Sequence, residues 1–467
     1  MRRLHLAELR DSLSAWLGVC VAFIVTNFAL ALASLVLLAG QTAVQTGLID
    51  IMSSAAFTFL PGLNIVFCIV IGSAVIGSST SLVVDSRRGS LARLALTGAT
   101  PGQVVGTIMV QLTVVSLACS LVGALLAYAV LEPLLRFLAT EGGESLPVPT
   151  ALYAVWPVLL SSLLAVGVAL LGGFKQARLA SRIPPVEALR QATGAGEERM
   201  TVGRWIVAGL YLMLLVAAYA AIPAMTAVRT KETFSNVVIA STIVVVVAAG
   251  LLARLAPVLV GPLTRLWTKA VPSFDPSWDL VRSTTVAKGA RLTKSVVPVM
   301  MAIGLLFGMV AVGDTLVATL RASGFDTELS RVGLSSTLVL LGLPLLIALA
   351  GGVGSLIMMS KQRDAELALS GIVGTTPGQR LAMPVLEGVI ITVTGAVLGV
   401  VMAGLCLGFL ALAIPRVGYA FAFSPSYLTF VVALAICTAI TIAATLLPTL
   451  PSLRKPEPRV IARLVAE

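Results

Sequence analysis

Two stretches of this chain carry charged, polar and apolar residues at spacings suited to gripping a partner, and they are copies of one another. The first holds Arg87, Arg88, Leu91, Ala92, Gly98, Thr100 and Gln103, and the second holds Arg363, Glu366, Leu367, Ala368, Gly374, Thr376 and Gln379. A constant offset of 276 residues superimposes Arg87 on Arg363, Leu91 on Leu367, Ala92 on Ala368, Gly98 on Gly374 and the whole Thr-Pro-Gly-Gln ending, without a gap. The same offset pairs Gln111 with Glu387, Ser90 with Glu366 and Gly123 with Gly399. An internal repeat of this kind is one building block used twice. The chemistry on offer is recognition. Leu91, Leu94 and Ala95 in the first copy, and Leu367, Ala368 and Ile372 in the second, line one face of a short amphipathic helix. Gly98 and Gly374 stop that helix, and Thr-Pro-Gly turns the chain into the next segment. Such a helix is either a handle that a soluble protein can push or an anchor lying in lipid headgroups.

Bond-making chemistry finds little to work with. Cys20, Cys68, Cys119, Cys406 and Cys437 all fall inside apolar runs, at no metal-site spacing, and read as small packing residues. His5 is the single histidine, too few for a cluster or a relay. A phosphate-binding loop needs a Gly-Lys pair to hold phosphates, and the chain contains none. No paired carboxylates and no nucleophile arrangement stand out. The expectation is a chain that is no enzyme and holds no metal or cofactor. Glu387 lies seven residues after Arg380, near one end of its apolar run, and reads as a structural partner for a loop arginine. Asn27, Asn64 and Gln111 read as ties between helices, Gly304, Gly308, Gly395 and Gly399 as close-packing positions, and Asp314 as solvated.

The elements that must position these residues are membrane helices. Of 467 residues, 58% are hydrophobic and 11% charged, against about 25% charged in a soluble domain. Counting about 20 apolar residues per crossing gives ten spans: 15–39, 61–84, 104–130, 152–173, 205–224, 235–260, 295–317, 334–359, 381–414 and 427–449. The first reads as an uncleaved helix, and the ninth is too long for one straight crossing. The termini and even-numbered loops hold 25 Lys or Arg and the odd-numbered loops six, which places both termini and both repeat copies in the cytoplasm. The net charge of +11 is spread over these loops, so lipid headgroups account for it and nucleic acid does not. The outer loops are short; 131–151, with Glu132, Pro133, Glu141, Glu144, Pro147 and Pro149, reads as a solvated turn. The fold class is an all-α polytopic membrane protein. Two four-helix units, 1–190 and 261–467, are joined by a linker at 191–260 with two further spans.

Here a resemblance enters. Arg-x-x-Glu-Leu-Ala from Arg363, followed by Gly374, Thr376 and Gln379, resembles the cytoplasmic loop of FtsX-like, or MacB-like, permeases of ABC transporters. Ala177 to Arg190 is similar to the tail that often ends such a permease domain, and Glu387 with Gly395, Gly399 and Gly404 is similar to its third span. Both four-span units are covered. The resemblance implies that Arg87–Gln103 and Arg363–Gln379 are coupling helices contacting a separate cytoplasmic ATPase, in two copies per chain, which binds ATP and magnesium. It implies a multi-pass protein of the bacterial plasma membrane that exports or extracts a lipophilic or amphiphilic substance such as a lipid, haem, a drug or an antimicrobial peptide. The large outer domain of many relatives has no room at 40–60 or 318–333. Control of an outer cell-wall hydrolase, or ATP-independent secondary transport, are the alternative functions.

Overall fold

Runs of apolar residues this long leave the backbone no solvent partner, so its N–H and C=O groups must satisfy one another along the segment, which only a helix achieves without an edge. The computed structural model describes residues 13–50, 57–86, 98–140, 147–180, 202–227, 231–272, 275–287, 289–324 and 334–450, and every regular element among them is a helix. In chain order these are α1 Leu13–Gln45, α2 Phe59–Ser86, α3 Pro101–Thr140, α4 Val155–Ala180, α5 Val202–Ala220, α6 Ile222–Met225 and α7 Lys231–Ala270. They continue with α8 Pro276–Ala287, α9 Gly289–Ala322, α10 Leu334–Met358, α11 Ser360–Ile372, α12 Pro377–Val417 and α13 Tyr427–Leu446. Ten of them are long and apolar enough to cross a membrane. The protein is an all-α, multi-pass membrane protein.

Three helices outrun the hydropathy signal. α3 and α7 have 40 residues each and α12 has 41, about 60 Å of helix against a hydrocarbon layer of about 30 Å. The solvated turn expected from residue 131 is instead the last part of α3. Past the apolar run, Leu131, Leu135 and Leu138 recur on one helix face and are buried, together with Ala139, against Ala39, Ala43, Ile49 and Phe57. The exposed face there carries an ion pair between Arg136 and Glu132, one turn apart. An amphipathic continuation lowers mean hydropathy while extending the helix, so Pro133 and the charges mark the end of the apolar run and not of the helix.

The chain divides into two compact units, Met1–Ala195 with Leu338–Met358, and Gly196–Thr337 with Met359–Glu467. The first therefore takes in α1 to α4 and also α10. Within it, α1 packs along α3 and α2, and buried amides tie the helices. Asn27 donates from Nδ2 to the Ser120 carbonyl at 2.6 Å and accepts from the Ser162 hydroxyl at 3.2 Å, joining α1, α3 and α4. Asn64 donates to the carbonyls of Leu60 and Val339, both at 3.2 Å, joining α2 to α10. α10 crosses α1 at Gly354 and Gly18, where a Cβ on either residue would collide with the other's carbonyl oxygen.

In the second unit α9 is the enclosed helix and α5 the most exposed. α9 lies against α12 along much of its length. Their crossing is set by Gly304 and Gly399, where a Cβ on Gly304 would come within 3.0 Å of the Gly399 Cα. The glycines read as packing positions are packing positions. α7 joins α12 through Thr264 and Thr394, whose hydroxyls are 3.2 Å apart, and through Trp267, whose indole N–H donates to Thr394 Oγ1 at 3.0 Å.

Candidate functional site

α11, a helix of 13 residues, follows α10 and precedes α12 in the chain, and it carries the second repeat copy. Its end is fixed by backbone chemistry. Gly374 has φ +105°, a conformation that costs an L side chain but not glycine. The Gly374 N–H donates to the Gly371 carbonyl and the Thr375 N–H to the Ser370 carbonyl, both at 3.1 Å, which is the Schellman pattern that satisfies the last carbonyls of a helix. Two residues on, α12 starts from a capping box. Thr376 Oγ1 accepts the Gln379 N–H at 3.3 Å, and Gln379 Oε1 accepts the Thr376 N–H at 2.9 Å. Pro377 takes the first helical position, where its missing N–H has no cost.

The first copy repeats the device. Gly98 has φ +95°, and Thr100 and Gln103 exchange the same pair of bonds, at 3.4 and 2.9 Å, at the start of α3. The Thr-Pro-Gly-Gln signature is thus a helix start written twice. Its threonines and glutamines, expected to meet a partner, use their side chains to cap α3 and α12. The pattern of Thr followed three residues later by Gln carries this information in the sequence. Arg87, Arg88, Leu91 and Ala92 lie outside the described residues.

The faces of α11 are distributed differently from the expectation. Leu367 and Ala368 are 4% and 5% exposed and mark the inward face of the helix. Leu369, Ile372 and Val373 are 57%, 61% and 86% exposed, at i, i+3 and i+4, and form an apolar crest on the outer side. Both faces are apolar in the sequence, and periodicity alone does not say which one turns inward. Glu366 is half-buried, and Gly374 and Thr376 are exposed beside the crest.

Arg363 is the other departure. It is 5% exposed and points inward. Its Nε donates to Glu387 Oε2 of α12 at 2.8 Å, and its Nη1 donates to the Thr445 carbonyl of α13 at 3.1 Å. Thr445 Oγ1 in turn donates to the Pro384 carbonyl of α12 at 3.0 Å. Glu387 is thus the partner of a loop arginine, as its position near the helix start suggested. Thr445 had no signal in the sequence, because its contribution to Arg363 is a backbone carbonyl. The arrangement supplies an exposed apolar crest, closed at its C-terminal end by the glycine stop, and tied by the Arg363–Glu387 ion pair to α12 and by a hydrogen bond to α13. Among the described residues no three His, Cys, Asp or Glu gather to hold a metal ion.

Comparison with known proteins accords with this architecture. A family model for the C-terminal region of FtsX-like permeases matches twice, at residues 62–185 and 338–456. A search among curated proteins returns no match. Each matched segment opens within a span of its own repeat, α2 or α10, and runs through the glycine stop, the capping box and the long helix that follows. With more than half its length matched by two copies of that region, the chain belongs to the FtsX-like permease family.

Proposed function

We propose that this chain is the membrane subunit of an ABC transporter and that α11 docks onto a separate cytoplasmic ATPase. The observation that carries the reading is the crest of Leu369, Ile372 and Val373. It is exposed apolar surface at the C-terminal end of a short helix that a glycine stop closes and a capping box follows. A handle tied to α12 and α13 by directed bonds passes a push on to them. Residues 87–97 would provide the second handle, so that one chain engages two copies of the ATPase. Catalysis then belongs to the partner, which binds ATP and magnesium, and this chain contributes the path. The excess of Lys and Arg in the termini and even-numbered loops supports an orientation with both termini and both handles in the cytoplasm of a bacterial plasma membrane. The connections between α1 and α2, and between α9 and α10, are too short for an outer domain, which favours a lipophilic or amphiphilic substrate taken from the bilayer.

The test is capture of the tagged chain from native membranes. An ATPase bearing a phosphate-binding loop is expected to co-purify. Val373→Asp puts a charge into the proposed interface and is expected to weaken capture on the order of tenfold or more, the loss typical of an interface anchor. Capture of no ATPase by the wild-type chain, or equal capture by the variant with equal stimulation of hydrolysis, overturns the reading.

A further inference from the structure

At the positions that form the joint beneath α11, the sequence of the long helix differs between the two repeats. α11 is seated by two kinds of contact. Leu367 and Ala368 pack by dispersion, which is non-directional and lets one surface slide over another. Arg363 makes directed bonds to two helices at once, at 2.8 Å to Glu387 and 3.1 Å to the Thr445 carbonyl. A shift of α11 by more than about 1 Å takes these bonds outside hydrogen-bonding range unless α12 and α13 follow. Leaving a buried charge unpaired is strongly unfavourable, so following is the lower-energy course. Thr445 also donates to the Pro384 carbonyl, which makes α12 and α13 answer together.

Pro384 has no N–H to donate to the Arg380 carbonyl, so α12 is less tightly tied one turn before Glu387. The pull of Arg363 falls just past that weak point. Arg363 Nη2 is buried and lacks an acceptor among the described residues. A small rotation of α11 that brought it onto the carboxylate would convert a single bond into a bidentate fork. At the offset of 276, α3 carries Ile108 where α12 has Pro384 and Gln111 where it has Glu387, and both are buried. The first repeat has neither the charge nor the proline.

We infer that Arg363 and Glu387 are positioning residues that carry displacement of α11 into α12 and α13, and that the two repeats transmit unequally, the second more tightly. The inference rests on the docking reading above. It deepens that reading by assigning the directed step to one half of a duplicated chain.

The experiment uses the full chain with its co-purified ATPase in lipid nanodiscs. A fluorophore sits on Phe423→Cys, an exposed position beyond the far end of α12 from α11. The variants are Glu387→Gln, Arg363→Lys and Gln111→Glu. Glu387→Gln installs what the first repeat carries at that position, so folding is expected to survive. ATPase capture and hydrolysis are expected to change little in it, while the nucleotide-dependent signal at residue 423 falls about tenfold, in the range of allosteric coupling. Arg363→Lys keeps the charge and loses the planar set of donors that reaches α12 and α13 at once, and should fall between Glu387→Gln and wild type. Gln111→Glu should leave the signal unchanged. A wild-type signal in Glu387→Gln with ATPase bound overturns the inference alone. Loss of ATPase capture in that variant assigns the pair to seating the helix and also overturns it. Absence of any ATPase with the wild-type chain overturns the docking reading and the inference together.

Discussion

Arg363 can be buried because two protein groups share its solvation. Its guanidinium is met by the Glu387 carboxylate and the Thr445 carbonyl, and Thr445 is held in turn through its hydroxyl on Pro384. Removing one partner from a buried pair costs about 3–5 kcal/mol, whereas replacing both by apolar groups of similar volume is often neutral. Glu387→Leu alone should therefore lower the melting temperature of the purified chain markedly, and adding Arg363→Met should recover most of the loss. A double variant no better than the single one would show that the charge is satisfied elsewhere. The caps make a smaller claim. Thr376→Ala removes the side-chain acceptor of the Gln379 N–H and should cost about 1 kcal/mol, while Thr376→Ser should cost little. Calorimetry on the two variants separates them; equal losses would mean that the hydroxyl bond contributes nothing.

At the scale of elements, the ten crossings were legible because each needs an uninterrupted apolar run, and a count of such runs is a count of helices long and apolar enough to cross. Their ends were not. Hydropathy falls when a helix leaves hydrocarbon and becomes amphipathic, which is what happens at Glu132 in α3 and, in α7, beyond Arg254, where Ala256, Val260, Thr264 and Thr268 remain buried at intervals of four. The glycine stop of the candidate site was legible for the opposite reason, since caps are local and their residues are fixed by dihedral angle and hydrogen bonding, whereas Thr-Pro-Gly-Gln, read as a turn, is the first turn of the helix itself. The inward face of α11 was not legible, because Leu367 and Leu369 are equally apolar and only tertiary packing distinguishes them. The extension of α3 gives a direct check. Leu135, fully enclosed, should cost about 2–5 kcal/mol on replacement by Ala. The neighbouring Phe137, 44% exposed, should cost far less. Urea or thermal denaturation of the two single variants decides; similar losses would mean that the extension is not a packed part of the first unit.

Over the whole molecule, order in the chain and order in space part company. The offset of 276 that makes α10 the counterpart of α2 is a statement about ancestry, yet α10 belongs to the same compact unit as α1 to α4, and the boundary between units falls between Met358 and Met359. The duplicated sequence therefore does not fold as two consecutive beads, since the first bead is completed by a helix from the second. What admits α10 is the absence of side chains at its crossing with α1. A Cβ at Gly354 would meet the Gly18 carbonyl, whereas one at Gly342, three turns earlier in α10, would meet nothing within 4 Å. The same substitution should then have opposite signs at the two sites. Gly342→Ala removes backbone freedom from the unfolded chain and should stabilise by about 0.5–1 kcal/mol. Gly354→Ala forces the α1–α10 crossing apart and should destabilise by about 1–3 kcal/mol, the range for overpacking. Heat-induced loss of the monodisperse peak in detergent reads both on the full-length chain. Parallel gains at the two positions would show that α10 is not gripped at Gly18, and the first unit would then have to hold its fifth helix by the Asn64 tie and by side-chain packing such as that of Val75 beside Gly351.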